Sequence, residues 1–271
     1  MRWTCQPESP GLAVLSGCAS LPSTVTELID QRRVEYAVAR HGPPVVVFEN
    51  GLGGTLHWWA KVFPEIAKET TAFAYNRPDY GGSDPVETPR DGTHIVDELG
   101  GTLRTMDLSP PYLLVGHSLG GLYMQLYARQ YPDEVQALVL VDSTHPEQFS
   151  GNGSPERWPF WLHWLFWLGT SSTEKAEFEA IPATGEQVLS LPTLTGIPVV
   201  VLSARKPMHA KSDLADDANA KRVDIARRYP GSTQVWADCG HGIPLDCPEA
   251  VIAAIHAVIG MGAHAPHHAD R

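Results

Sequence analysis

Short, almost continuous apolar runs alternate with helix-like stretches along most of this chain. That alternation constrains the fold more than any other feature. The runs are Pro44–Gly51, Thr71–Tyr75, Tyr112–Val115, Val135–Val141, Ile197–Leu202 and Thr233–Trp236. Runs this short and this apolar mark strands buried on both faces. Val34–Ala39, ahead of them, alternates like an antiparallel strand. Helix-like segments lie at Trp58–Glu69, Ile95–Leu108, Leu122–Tyr131, Ala218–Tyr229 and Pro248–Ile259. Strands alternating with helices predict an α/β fold, a mostly parallel sheet doubly wound by helices. Binding sites in such sheets lie at the carboxyl ends of the strands.

The length of 271 residues suits one large domain carrying an insert. A formal net charge of -11 disfavours a nucleic-acid partner, because no basic stripe is present for phosphates. No apolar stretch is long enough to cross a bilayer. The chain divides into a leader or linker (1–31), a first core part (32–145), an insert (146–195), a second core part (196–260) and a tail without periodicity (261–271). The insert has no strong strand and holds Trp158, Trp161, Trp164 and Trp167, half of the eight tryptophans. It reads as a helical cap packed on the body, one face of which lines an apolar pocket or meets lipid. The tail histidines His264, His267 and His268 read as solvated, since no paired cysteine or carboxylate supports a metal site.

Two readings of the N-terminus stand open. Leu15-Ser16-Gly17-Cys18 fits a lipobox, with Cys18 lipidated and the protein anchored to a membrane in the periplasm. Against this, Arg2 is the sole positive charge upstream, Glu8 is acidic and the apolar region is short, as in a cytoplasmic leader. The other cysteines are Cys5, Cys239 and Cys247. Cys239 and Cys247 flank His241, and in an oxidising compartment they form a disulfide bracing that loop; otherwise they are two unrelated thiols.

The segment Val115-Gly116-His117-Ser118-Leu119-Gly120-Gly121 joins an apolar run to a helix-like stretch. Gly-x-Ser-x-Gly between strand and helix points to Ser118 as a nucleophile on a strained turn. Side chains at Gly116 and Gly120 are expected to collide with the neighbouring strand and helix. The Leu119 N–H, at a helix start, suits a developing oxyanion. A serine hydroxyl needs a base, and Asp238-Cys239-Gly240-His241-Gly242 supplies His241 after the last strand, with glycines that permit a tight loop. A second oxyanion donor is expected from Leu52 in Asn50-Gly51-Leu52-Gly53-Gly54, after the Phe48 strand.

Together with Asn76-Arg77-Pro78-Asp79-Tyr80-Gly81-Gly82-Ser83, these pieces resemble the serine-nucleophile, esterase- or lipase-like members of the α/β-hydrolase fold family over about residues 32 to 260. The resemblance implies an eight-stranded sheet, a cap after the sixth strand and hydrolysis of a small-molecule ester without cofactor or metal. Many relatives carry His-Gly where this chain has Asn50-Gly51, so the hydrogen bonding of that side chain is expected to differ. Relatives usually place the acid of the triad just after the seventh strand. Here that turn reads Arg205-Lys206-Pro207-Met208, with Asp213 the nearest acid. Some relatives use the end of the sixth strand, where Leu140-Val141-Asp142 stands. A carboxylate ending a buried strand is costly unless paired, which favours Asp142 over Asp213. Arg77 and Asp79 are read as a pair or as anchors of their turn. Serine-dependent C–C hydrolysis, perhydrolysis and aminopeptidase chemistry share the same residues, and a silent ligand-binding homologue is the rival of another class. The oligomeric state is not legible.

Overall fold

The computed structural model describes residues 21, 23–157, 170–205 and 212–262. Cys18, the four insert tryptophans, the Lys206-Pro207-Met208 turn and the tail histidines lie outside the described residues. Eight strands form one sheet: β1 (Val25–Ile29), β2 (Arg32–Ala39), β3 (Val45–Glu49), β4 (Thr71–Tyr75), β5 (Tyr112–His117), β6 (Val135–Val141), β7 (Val199–Ala204) and β8 (Thr233–Ala237). Their order is β1-β2-β4-β3-β5-β6-β7-β8. β2 runs antiparallel to both β1 and β4, and every other pairing is parallel.

Side chains alternate across a strand, and here the alternation feeds two separate cores. Val45, Val47, Leu114, Leu138 and Leu140 pack with the helices α2 (Gly92–Thr105) and α3 (Leu119–Gln130) on one face. Val46, Phe48, Leu113, Val115 and Val139 pack on the other face with α1 (Phe63–Ile66) and residues of the C-terminal helix such as Val251 and Ile255. A strand covered on both faces has no polar side to show, which is why these runs are continuously apolar.

β1 escapes the sequence pattern because it is an edge strand with four of its five residues exposed, Leu28 at 72%. The helix expected over Trp58–Glu69 is instead a 3-10 turn at Leu56–Trp59 followed by α1. Pro64 explains the break: it lacks an N–H and fits only the first turn of a helix, so a new helix starts around it. Between β6 and β7, the described part of the insert holds 3-10 turns at Gly151–Gly153 and Pro155–Arg157. It continues into α4 (Ser172–Glu179) and α5 (Ile181–Ser190). Ser171 and Glu174 form a reciprocal capping box that starts α4. The remaining helices among the described residues are α6 (Asp213–Arg227), α7 (Ile243–Asp246) and α8 (Pro248–Gly262), so Met261, expected in the tail, is helical.

Strand register sets the edge at which the candidate site residues meet. Glu49 pairs with Gly116, Gly116 with Leu140, and His117 with Val141, so the residues after β3, β5 and β6 emerge side by side. After β3 the chain crosses to β4 on one side and returns to β5 on the other. This is a topological switch point, where diverging loops leave a crevice.

The approach of α3 to this edge is close. A Cβ at Gly116 stands 2.5 Å from the Gly120 carbonyl oxygen, and one at Gly120 stands 2.5 Å from the carbonyl oxygens of Glu49 and Asn50. Gly116→Ala and Gly120→Ala should each lose about 2–3 kcal/mol, read as a lower urea midpoint at unchanged slope. Gly101, inside α2 with nothing within 4 Å of its Cβ position, is the contrast. Gly101→Ala should gain about 0.5–1 kcal/mol.

Candidate active site

Ser118 sits between β5 and α3 with φ 54° and ψ -122°, a conformation costly for any residue with a side chain. Its backbone is held from three sides. The Ser118 N–H donates to the Val141 carbonyl (3.1 Å), while its own carbonyl accepts from Gly121 (2.9 Å) and Thr144 (2.9 Å). The turn therefore belongs to the sheet and to the start of the insert as much as to α3.

Asp142 directly follows β6, also at positive φ (40°), and its carboxylate is buried. The His241 imidazole meets it through Nδ1 at 2.6 Å from Oδ2. Arg222 on α6 grips the same carboxylate with Nε to Oδ1 (2.9 Å) and Nη2 to Oδ2 (3.2 Å), and the Ala204 N–H adds a bond to Oδ1 (3.2 Å). Burial alone would raise the Asp142 pKa. The hydrogen bonds from His241 and Arg222 outweigh burial and hold the carboxyl well below the usual carboxylate range. Asp213, the alternative acid, is the first residue of α6, whose N-cap is Ser212; it is not brought to His241. Arg222, on the same helix, had no local signal in the sequence, since it meets Asp142 across 80 positions.

His241 is half exposed, in the loop after β8. Its backbone carbonyl faces His117 Nε2 at 2.9 Å, and the two rings lie 4.8 Å apart. A carbonyl only accepts, so His117 carries its proton on Nε2. Trp58 also stacks on His117, with ring centroids 5.0 Å apart. Burial, then the neighbouring His241, push the His117 pKa down to about 3, so this ring stays neutral. Cys239 and Cys247 form a disulfide around the loop. Neither Gly240 nor Gly242 takes a positive φ, so the glycine-dependent tight turn expected there is not what aims the imidazole. The packing against His117 and the tie to Asp142 do so instead.

On the other flank, a Cβ at Gly51 stands 3.0 Å from Ser118 Cβ, which measures how near this loop comes to Ser118. Gly53 has φ 70°, a conformation favouring glycine. The Leu52 and Leu119 N–H groups have no acceptor among the described residues. Asn50, the departure from His-Gly, turns away and donates through Nδ2 to the Tyr75 carbonyl (3.0 Å). Arg77 does not pair with Asp79. It is buried against Glu49 and Glu177, and Asp79 instead accepts from the Thr173 hydroxyl.

Leu52, Ser118, Leu119, Asp142 and His241 line one cavity of about 250 Å³. Phe149, Phe178 and Ile181 from the insert make one wall apolar; His145, Gln148 and Lys221 make another polar. The Lys221 ammonium is bonded to Asp217 and to the carbonyls of Gln148 and Ser150. A serine, an imidazole backed by a carboxylate and two N–H groups around one cavity can carry out acyl transfer. The thiol titre of the denatured full chain should rise by about two on reduction if the disulfide forms in solution; equal titres would exclude it.

The family model of the alpha/beta hydrolase fold matches residues 44–171. The bovine (lyso)-N-acylphosphatidylethanolamine lipase is 32% identical over 100 residues, 36% of this chain and 29% of that protein. The 2-(acetamidomethylene)succinate hydrolase of Mesorhizobium japonicum is 27% identical over 121 residues, 44% of this chain and 43% of that protein. The chain spans less than half the length of the curated relatives it matches. The crystal structure of an enol-lactonase from Burkholderia xenovorans superimposes with a TM-score of 0.66 at 17% identity, covering 87% of this chain and 100% of that one. Sheet order, strand-end geometry and these likenesses agree: the chain has the α/β-hydrolase fold, and the family model matches just under half of it.

Proposed function

We propose that the chain is a serine hydrolase that cleaves carboxylic esters through an acyl-enzyme. The observation carrying this reading is that Ser118, His241 and Asp142 line one cavity with the Leu52 and Leu119 N–H groups. The Asp142 carboxylate accepts from His241 Nδ1, which leaves Nε2 to take the Ser118 proton. Ser118 Oγ then attacks the ester carbonyl, and its oxygen becomes an anion held by the two backbone N–H groups. His241 returns the proton to the leaving alcohol. A water activated by the same imidazole releases the acid. The apolar wall of Phe149, Phe178 and Ile181 suits an apolar part of the substrate. The lipase and hydrolase named above, similar to parts of this chain, support the same class of chemistry.

A fluorophosphonate probe should label the wild type and not Ser118→Ala; no labelling of the wild type would identify a silent binder. On a p-nitrophenyl ester, Asp142→Asn should lose on the order of 10³–10⁴-fold in kcat, while Asp213→Asn stays within about 2-fold. The reverse pattern would sink Asp142 as the acid.

A further inference from the structure

Arg77 is buried, yet every one of its donors is used. Nε and Nη2 grip Glu177 on α4 (3.0 and 2.8 Å). Nη1 bonds Glu49 at the end of β3 (2.5 Å) and the Asn50 carbonyl (2.7 Å), and Nη2 bonds the Gly51 carbonyl (3.0 Å). Tyr80 and Tyr123 rings flank the guanidinium at 4.9 and 5.4 Å. A group so fully committed has one orientation.

The Gly51 carbonyl is the informative partner. It belongs to the same peptide unit as the Leu52 N–H, and that unit is trans. In a planar trans peptide the C=O and N–H point in opposite directions. Fixing the oxygen toward Arg77 therefore aims the Leu52 N–H away from Arg77; Leu52 lines the cavity with Ser118. The Gly54 N–H, 3.2 Å from the same oxygen, takes its second lone pair. Glu177 in turn receives the Tyr80 hydroxyl (2.9 Å) and lies near Arg90 (3.5 Å), so it too is held in place. One turn earlier on α4, Glu174 Oε1 stands 2.6 Å from a Cβ position at Gly53, so the helix abuts the oxyanion loop at a second point.

We propose that Arg77 and Glu177 are positioning residues for the oxyanion hole: Glu177, supplied by the insert, orients the guanidinium that fixes the Gly51–Leu52 peptide. The insert is then part of the machinery of transition-state binding and not only a wall of the cavity. This rests on the serine-hydrolase reading above.

An oxyanion hole acts on the transition state and little on bound substrate, which separates positioning from plain stability. The test measures p-nitrophenyl ester kinetics and inhibition by an alkyl boronic acid, whose serine adduct places an oxygen in the hole. Arg77→Lys should lower kcat by about 10–100-fold with KM within about 2-fold, and weaken the boronic acid by a similar factor. Glu177→Gln keeps shape and should lower kcat by about 3–10-fold in the same pattern. It decides the matter if Arg77→Lys lacks a cooperative thermal transition. A folded Glu177→Gln with wild-type kcat and boronic acid affinity, whatever its Tm, overturns the positioning role, and so does a loss confined to KM. A wild type that neither turns over the ester nor labels at Ser118 overturns the hydrolase reading itself, whereas an active wild type with unaltered variants overturns only this inference.

Discussion

Everything at the carboxyl edge of the sheet depends on α3 starting immediately after β5, with no connecting loop. That start forces Ser118 to a positive φ and drives the first turn of α3 against the ends of β3 and β5. Backbone then approaches backbone at distances that leave no room for a Cβ at Gly116 or Gly120. The return on this crowding is geometric. The helix N-terminus, with its partial positive charge, opens onto the cavity beside Ser118.

Strand register turns that local device into a site. Asp142 emerges next to Ser118 because His117 and Val141 are paired, and Val141 in turn pairs with Leu202. The imidazole of His241 arrives from the far strand and meets a carboxylate already gripped by Arg222 and the Ala204 N–H. A buried carboxylate left alone would protonate or destabilise the fold. With three sets of donors it stays ionised, and its orientation is no longer adjustable. His117 adds rigidity, since its neutral ring packs against both Trp58 and His241.

The second buried charge centre works by the same physics. Desolvating Glu49, Arg77 and Glu177 is expensive, and removing one partner from such a group typically costs about 3–5 kcal/mol. Burial opposes the charge on Arg77, but Glu177 and Glu49 outweigh it and keep the guanidinium protonated. A hydrophobic cluster of that size would fill the space as well. It could not orient a peptide plane, which is what the hydrogen bonds to the Asn50 and Gly51 carbonyls do.

Much of this was legible in the chain because it is local. Continuous apolar runs are a direct consequence of burial on both faces, and they marked β3 to β7; alternation marked β2, and the run at Thr233–Trp236 marked β8 although that edge strand is mostly exposed and not buried on both faces as expected. β1, mostly exposed, has no such signature. The Gly-His-Ser-Leu-Gly turn and the Asn50–Gly54 loop announce themselves because close backbone approach excludes side chains there. Pro64 divided a helix that periodicity alone had run together. The sequence by itself thus determined the sheet, and it brought forward Ser118, His241 and the loops beside them as the candidate site. Tertiary structure alone decided the partners: it brings Asp142, which the sequence only favoured over Asp213, to His241, sets Arg222 behind it, and puts Glu177 with Glu49 on Arg77 in place of Asp79. Those pairs lie 28 to 100 positions apart along the chain. Hydrogen-bond partners at such separations are chosen by which strand ends and helix faces the fold brings within about 3 Å, and no local pattern of residues records that choice.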